Sequence, residues 1–331
     1  MLKAAVIGLG WWGKQITHCL AGSEKIKIVC GVDTNPEAAD GFAAEHGVEI
    51  IDRYEPVLKD KGIDTVIIAT PHGMHEEQVI AAAGAGKQIF CEKPFALKTE
   101  SARRMLEACE AEGLTIGVGH QRRYEGAFEE IERMLRAGEL GKLLHLECNW
   151  SHNNFTKAAV PSWRKDPQQA PAGVLTALGI HITDYFQNLA GPVAQVYARK
   201  AHISDKYPFD DIISVHFTFT GGGTGFLCNL ATTPFYERIG VFGDGGWAEI
   251  REWSHVDVPE PATLLWRLED DEQNSRTFKY RDAVAANMEE WADAVAGQGT
   301  YRYTNTQILH NVEILEAIVR SAESGEIVTL G

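Results

Sequence analysis

A doubly wound parallel sheet, followed by a second domain built on a mostly antiparallel sheet, is the α/β architecture this sequence predicts. Three observations predict it. Strand-like and helix-like stretches alternate through the first 121 residues, the order that builds parallel strands joined by right-handed crossovers. Several of those strands are continuous apolar runs, as strands covered on both faces must be. From about residue 193 onwards, apolar and polar residues alternate between glycine turns, the pattern of antiparallel strands with one covered face.

The first strand is Leu2–Ile7, and it runs into Val6-Ile7-Gly8-Leu9-Gly10-Trp11-Trp12-Gly13. A helix continues over Lys14–Leu20, and a second apolar run, Ile26–Gly31, leads to Asp33, twenty residues beyond Gly13. In such a βαβ unit the three glycines serve a tight turn, close backbone approach to phosphate and close helix–strand packing. Backbone N–H groups and the positive end of the helix dipole then face a pyrophosphate, so the unit is read as dinucleotide-binding. Asp33 is positioned to accept from ribose hydroxyls and to repel a 2′-phosphate. Thr34 and Asn35 add no cation after it, so NAD is favoured over NADP, with Arg53 the residue that could reverse the preference.

A helix follows Pro36 as far as His46. The buried strand Thr65–Thr70 ends in Pro71-His72-Gly73-Met74-His75, and a helix spans about Glu76–Ala85. The strand Lys87–Cys91 ends in Glu92-Lys93-Pro94, a helix covers Thr99–Glu112, and the strand Thr115–Gly119 ends in His120-Gln121. Ligands of doubly wound sheets sit beyond the carboxyl ends of the strands. By that rule Thr70, Pro71, His72, His75, Glu92, Lys93, His120 and Gln121 are site candidates, together with Trp11 and Trp12 in the glycine turn.

The rhythm changes near residue 122, which divides the chain into domains 1–121 and 122–331. The spacing of Phe128, Ile131, Met134 and Leu135 predicts a helix over Gly126–Ala137, and a strand covers Leu143–Trp150. An irregular stretch, Ser151–Ala172, contains Trp163-Arg164 and precedes a helix over Gly173–Ala190. Seven strand-like runs follow between Val193 and Tyr280, with Gly221-Gly222-Gly223 and Asp244-Gly245-Gly246 as the clearest hairpin turns. Two helices, Ala283–Val295 and Thr304–Ser324, complete the pattern and are candidates to pack back on the first domain.

Of the 331 residues 44% are hydrophobic and 23% charged, the composition of a folded protein with a substantial core. A net charge of −15 excludes a general nucleic-acid or anionic-membrane partner. There is no apolar run of about 18 residues and no cationic leader, so a cytoplasmic location is expected. The six scattered cysteines, without a Cys-x-x-Cys pair, suit reduced thiols. No His-Glu-x-x-His or cysteine-rich spacing points to a metal, and none is expected.

Gly8-x-Gly10-x-x-Gly13, Thr70-Pro71-x-x-x-His75, Glu92-Lys93-Pro94 and Gly179-Ile180-His181-x-x-Asp184 together resemble the glucose–fructose oxidoreductase / inositol dehydrogenase / MocA-like family over essentially the whole chain. The resemblance implies an N-terminal Rossmann domain and a C-terminal domain with an open, mostly antiparallel sheet through which a homodimer or homotetramer forms. It implies NAD(P)-dependent hydride transfer at a carbinol carbon of a sugar, cyclitol or related cyclic hydroxy compound. Lys93 matches the family lysine that hydrogen-bonds the reacting oxygen, and His181 the helix histidine that acts as general acid/base. An imidazole titrating near neutrality and an ammonium suited to a developing alkoxide make chemical sense of that pair. Arg164 also matches a position that reaches the active site, with Arg123, Tyr124 and Asp184 as further substrate-binding candidates. Inositol-dehydrogenase-like members carry an aspartate one turn before the histidine; here the position is Ala177, beside Thr176, and Asp184 is the possible substitute. Other readings stay open. The cluster Arg122, Arg123 and Arg164 suggests a carboxylated cyclic dihydrodiol, relatives suggest an NAD-tethered glycosidase, and Ala177 allows a non-catalytic metabolite sensor.

Overall fold

The computed structural model describes residues 1–157, 166–251 and 259–331, and the chain divides into two compact units. One comprises Met1–Gln121 with Asp282–Leu309, the other Arg122–Arg281 with His310–Gly331.

The first unit holds the parallel sheet. Its strands are β1 (Leu2–Ile7), β2 (Ile26–Val32), β3 (Glu49–Ile51), β4 (Thr65–Ile68), β5 (Gln88–Cys91) and β6 (Ile116–Val118). They lie in the order β3-β2-β1-β4-β5-β6, all neighbours parallel. The order reverses between β1 and β4, which places the switch point at the glycine turn and the end of β4. Every residue of β4 is buried, as an apolar strand between two helical layers requires. The connecting helices are α1 (Trp11–Cys19), α2 (Asp40–His46), α3 (Glu55–Lys59), α4 (His75–Gly84) and α5 (Thr99–Ala111). Two elements, β3 and α3, were not expected from sequence. They are three and five residues long, too short for a periodic signal.

Residues 282–309 complete this unit at its β6 edge. Trp291, fully buried, packs on Phe90 and donates from its indole to Thr115 O at 2.9 Å. Asn287 Nδ2 donates to Val118 O at 2.9 Å, and the Tyr301 hydroxyl donates to Asn287 Oδ1 at 2.7 Å.

The second unit begins with α6 (Gly126–Arg136), β7 (Leu143–Ser151), α7 (Asn154–Lys157), α8 (Val174–Ala177) and α9 (Gly179–Ala190). The strands β8 (Val193–Ala201), β9 (Ile212–Phe219), β10 (Thr224–Leu230), β11 (Tyr236–Gly243), β12 (Gly246–Arg251), β13 (Ala262–Leu268) and β14 (Asn274–Phe278) follow. The helix α10 (Ala283–Val295) belongs to the first unit, and the division of the chain falls within α11 (Asn305–Ser324); β15 (Val328–Thr329) closes the sheet. The order is β14-β13-β12-β11-β7-β10-β9-β8-β15, antiparallel except where β7 meets β10. Along β9 the buried residues Ile213, Val215, Phe217 and Phe219 alternate with more open ones, and Phe186 of α9 meets Phe217 and Phe219 from the covered side. The expected single helix over Gly173–Ala190 is instead two, broken at Leu178 (φ −115°, ψ −61°). Among the described residues, no helix is long and apolar enough to cross a membrane.

Candidate active site

In the glycine turn, Gly8 adopts φ +94°, which costs a residue with a side chain dearly. A Cβ on Gly13 would lie 1.9 Å from Gly8 O, so α1 can approach the strand end only because that atom is missing. A Cβ on Gly10, the residue preceding α1, would meet nothing within 4 Å: here the backbone faces open space. Asp33 sits at the end of β2, where its Oδ2 accepts from Leu9 N at 2.9 Å and its Oδ1 from Asn35 N at 2.9 Å. One carboxylate thus braces the glycine turn and fixes its own orientation. Each of its oxygens keeps a lone pair for a further donor. The residues present therefore suit a dinucleotide: a bare N-terminal helix turn beside a fixed carboxylate. Trp11 is exposed and Trp12 half-buried, their rings tilted at 5.5 Å. Arg53 stands 3.6 Å from Asp52.

At the ends of β4 and β5, the sequence candidates form one bonded assembly. His75 is completely buried. Its Nδ1 lies 3.0 Å from Pro94 O and 3.3 Å from Phe95 O, and its Nε2 lies 3.1 Å from Thr70 O. Burial pulls its basicity below the ordinary imidazole range, while the three carbonyls pull the other way. Expected as a cofactor ligand, His75 is instead withdrawn from solvent and ties the Thr70-Pro71 loop to the Lys93-Pro94 turn, whose peptide bond is cis. Thr70 Oγ1 donates to Gln78 Oε1 at 2.6 Å. Lys93 N donates to Glu92 Oε2 at 3.2 Å, and Glu92 is buried. Its carboxylate occupies the space where a Cβ of Gly119 would stand, 2.3 Å from Oε2. His72 lies near, its ring 5.9 Å from that of His75. At the end of β6, His120 O accepts from the Tyr303 hydroxyl. Gln121 is buried there with its Oε1 lacking a hydrogen-bond partner among the described residues.

In the second unit, His181 lies buried in the first turn of α9, its ring 6.1 Å from that of Trp150. The break at Leu178 puts Ala177 on a different helix, so the two do not share one helical face as the sequence spacing suggested. Thr176 Oγ1 accepts from Ala172 N at 3.0 Å. Asp184, the possible substitute, is held by Arg123. Arg123 donates from Nε to Asp184 Oδ2 at 2.8 Å and from a terminal nitrogen to Oδ1, both residues buried, with Asn188 Oδ1 accepting at 3.0 Å. Two of the four expected substrate ligands thus hold each other, and Tyr124, which follows Arg123 in sequence, is buried. Arg122 stacks on Trp150 at 4.7 Å and pairs with Glu125. With Arg122 and Arg123 both neutralised by carboxylates, the cationic cluster behind the carboxylated-ring reading is not offered to a ligand. Arg164, its third member and a candidate in its own right, lies outside the described residues.

Sequence reasoning missed Glu125 and Glu237, both buried near Arg122. Burial raises the Glu125 carboxyl to about 7 although Arg122 opposes it, and burial holds Glu237 well above the usual carboxylate range. Only the alternation along β11 could have shown Glu237 pointing inward.

A doubly wound sheet with a fixed carboxylate, a bare helix turn and a clamped lysine turn defines a dinucleotide-dependent oxidoreductase. Comparison with known proteins agrees. Residues 2–120 match the oxidoreductase family with an NAD-binding Rossmann fold, and residues 128–249 match the GFO/IDH/MocA C-terminal domain. The chain belongs to the Gfo/Idh/MocA oxidoreductase family. It is 28% identical to an uncharacterised oxidoreductase of Streptococcus pneumoniae over 66% of this chain, spanning only 60% of that relative's length. It is 28% identical to scyllo-inositol 2-dehydrogenase (NAD(+)) of Bacillus subtilis, covering 98% of this chain and 95% of that one. Its fold matches that of levoglucosan dehydrogenase in complex with NADH and levoglucosan at a TM-score of 0.87, with 22% identity, covering 100% of this chain and 99% of the other.

Proposed function

We propose that this chain is an NAD-dependent dehydrogenase of a sugar or cyclitol, working at a carbinol carbon with Lys93 and His181 as its proton-handling groups. The observation that carries the reading is the Glu92-Lys93-Pro94 turn, held by the Glu92 carboxylate on one side and His75 on the other. A lysine whose backbone is held this firmly at a strand end suits a reacting group better than a solvated surface lysine.

The backbone of Gly8–Gly13 and the first turn of α1 would hold the pyrophosphate, Asp33 the ribose hydroxyls, and Gln121, through its unmatched oxygen, the carboxamide. When bound, the nicotinamide supplies the hydride acceptor or donor. Hydride loss from a carbinol requires the hydroxyl proton to leave, and the His181 imidazole accepts it. The Lys93 ammonium stabilises the oxygen as charge develops on it. Thr34 and Asn35 offer a 2′-phosphate no cation, and Arg53 stands beside Asp52, which supports NAD over NADP.

The test is NADH absorbance during incubation with a panel of cyclitols and sugars, for wild type, Lys93→Ala and His181→Ala. Turnover with NAD should appear on at least one compound, and each variant should lower kcat/KM by about 100-fold or more. Absence of turnover on every polyol, or undiminished rates in both variants, overturns the assignment. We also propose that a second copy covers the open sheet face, where Tyr236 of β11 is exposed opposite to the buried Glu237, Ile239 and Val241. Analytical ultracentrifugation should give a dimer or tetramer, and a monomer at micromolar concentration would exclude it.

A further inference from the structure

At the C-terminal turns of α1 and α2, His18, Glu45 and His46 bring one potential ligand atom each to within 4.8 Å of one another. The two imidazoles meet edge to face at 4.5 Å, and the Phe42 ring closes the group at 4.4 Å from His46 and 5.6 Å from His18. His46 is the inner member, its side chain 11% exposed, with Glu45 Oε1 3.9 Å from its Nε2. That Nε2 is buried without a hydrogen-bond partner among the described residues. A ring nitrogen that has given up hydration without replacement calls for something to satisfy it, and an ion is one such partner. His18 and Glu45 are exposed and free to rotate towards it.

We propose that His18, Glu45 and His46 form a binding site for a divalent ion of the zinc class, stapling α1 to α2, with water completing its coordination. The donor set decides the class. Two imidazole nitrogens and one carboxylate oxygen suit zinc and its transition-metal neighbours, whereas calcium and magnesium require shells of oxygen. Tetrahedral bonds of about 2.0–2.1 Å place ligand atoms roughly 3.3 Å apart, so side-chain rotation at the two exposed residues closes the remaining gap. The C-terminal end of α1 adds its negative dipole. Neighbouring Cys19 is not among the donors that converge there. The two helices joined are those that follow the glycine turn and Asp33, so the ion would fix both flanks of the adenosine side of the first unit.

The full-length protein, stripped with a chelator and kept reduced, is titrated with zinc chloride by calorimetry. One equivalent should bind with a micromolar dissociation constant. His18→Gln and His46→Gln should each weaken it at least tenfold, while Cys19→Ser leaves it unchanged. Cobalt(II) in the same protein should show visible d–d bands without a thiolate charge-transfer band. His18 is exposed, so its variant keeps the fold and remains informative even if His46→Gln does not. No stoichiometric binding, equal affinity in His18→Gln, or loss of binding in Cys19→Ser overturns the proposal.

Discussion

His75 has acceptors at both ring nitrogens, so its neutral form satisfies one side and its imidazolium both. Either way the ring is the tie between the β4 and β5 loops, and its loss should loosen the Lys93 turn without touching the glycine turn. His75→Phe is expected to lower kcat by about 100-fold, the scale of a misplacement near 1 Å, while the dissociation constant for NADH changes little. His75→Gln, able to donate to one side, should recover part of the rate. Steady-state kinetics beside fluorescence titration of NADH separate the two effects; an unchanged kcat would sink the positioning role. The sequence singled out His75 but not its task. Position beyond a strand end is legible from spacing, whereas burial among carbonyls of a loop 19 residues away depends on the folded chain. Asp33 was legible for the same reason, and its bond to Leu9 was not.

Across the second unit, elements meet at long range, and that is where sequence reading loses resolution. The Arg123–Asp184 pair joins residues 61 positions apart, so two plausible ligands were in fact each other's partners. The break at Leu178 had one sequence sign, Gly179 beside it, but an isolated glycine inside a helical pattern does not by itself end a helix. The packing of Glu125, at the entry to α6, and Glu237 of β11 near Arg122 gives this region a measurable pH response. Both carboxyls are held high by burial, so the folded state keeps protons that the unfolded chain has released. Their contribution to stability is fully present below the unfolded value of about 4.3 and is lost as pH rises through about 7 for Glu125. Glu125→Gln should therefore stabilise the protein at pH 8, on the order of 1 kcal/mol, and have little effect at pH 5. Glu237→Gln should act in the same direction. Urea denaturation at the two pH values tests this; a variant that loses stability relative to wild type on going alkaline contradicts it.

For the whole molecule, periodicity was a sound guide. Buried runs predicted the parallel sheet and alternation the mostly antiparallel one, because each period records which faces are covered. What periodicity does not record is which segment does the covering. Residues 282–309 belong to the first unit, and Asn287 reaches Val118 over a sequence separation of 169. This has a consequence for synthesis. At about 5–20 residues per second, roughly ten to thirty seconds separate the emergence of β6 from that of the helix whose Trp291 seals it. The nascent parallel sheet therefore waits with an open edge until nearly the whole chain has left the ribosome. Its last strand is the natural place for a holding chaperone to bind, and for aggregation to begin when none does.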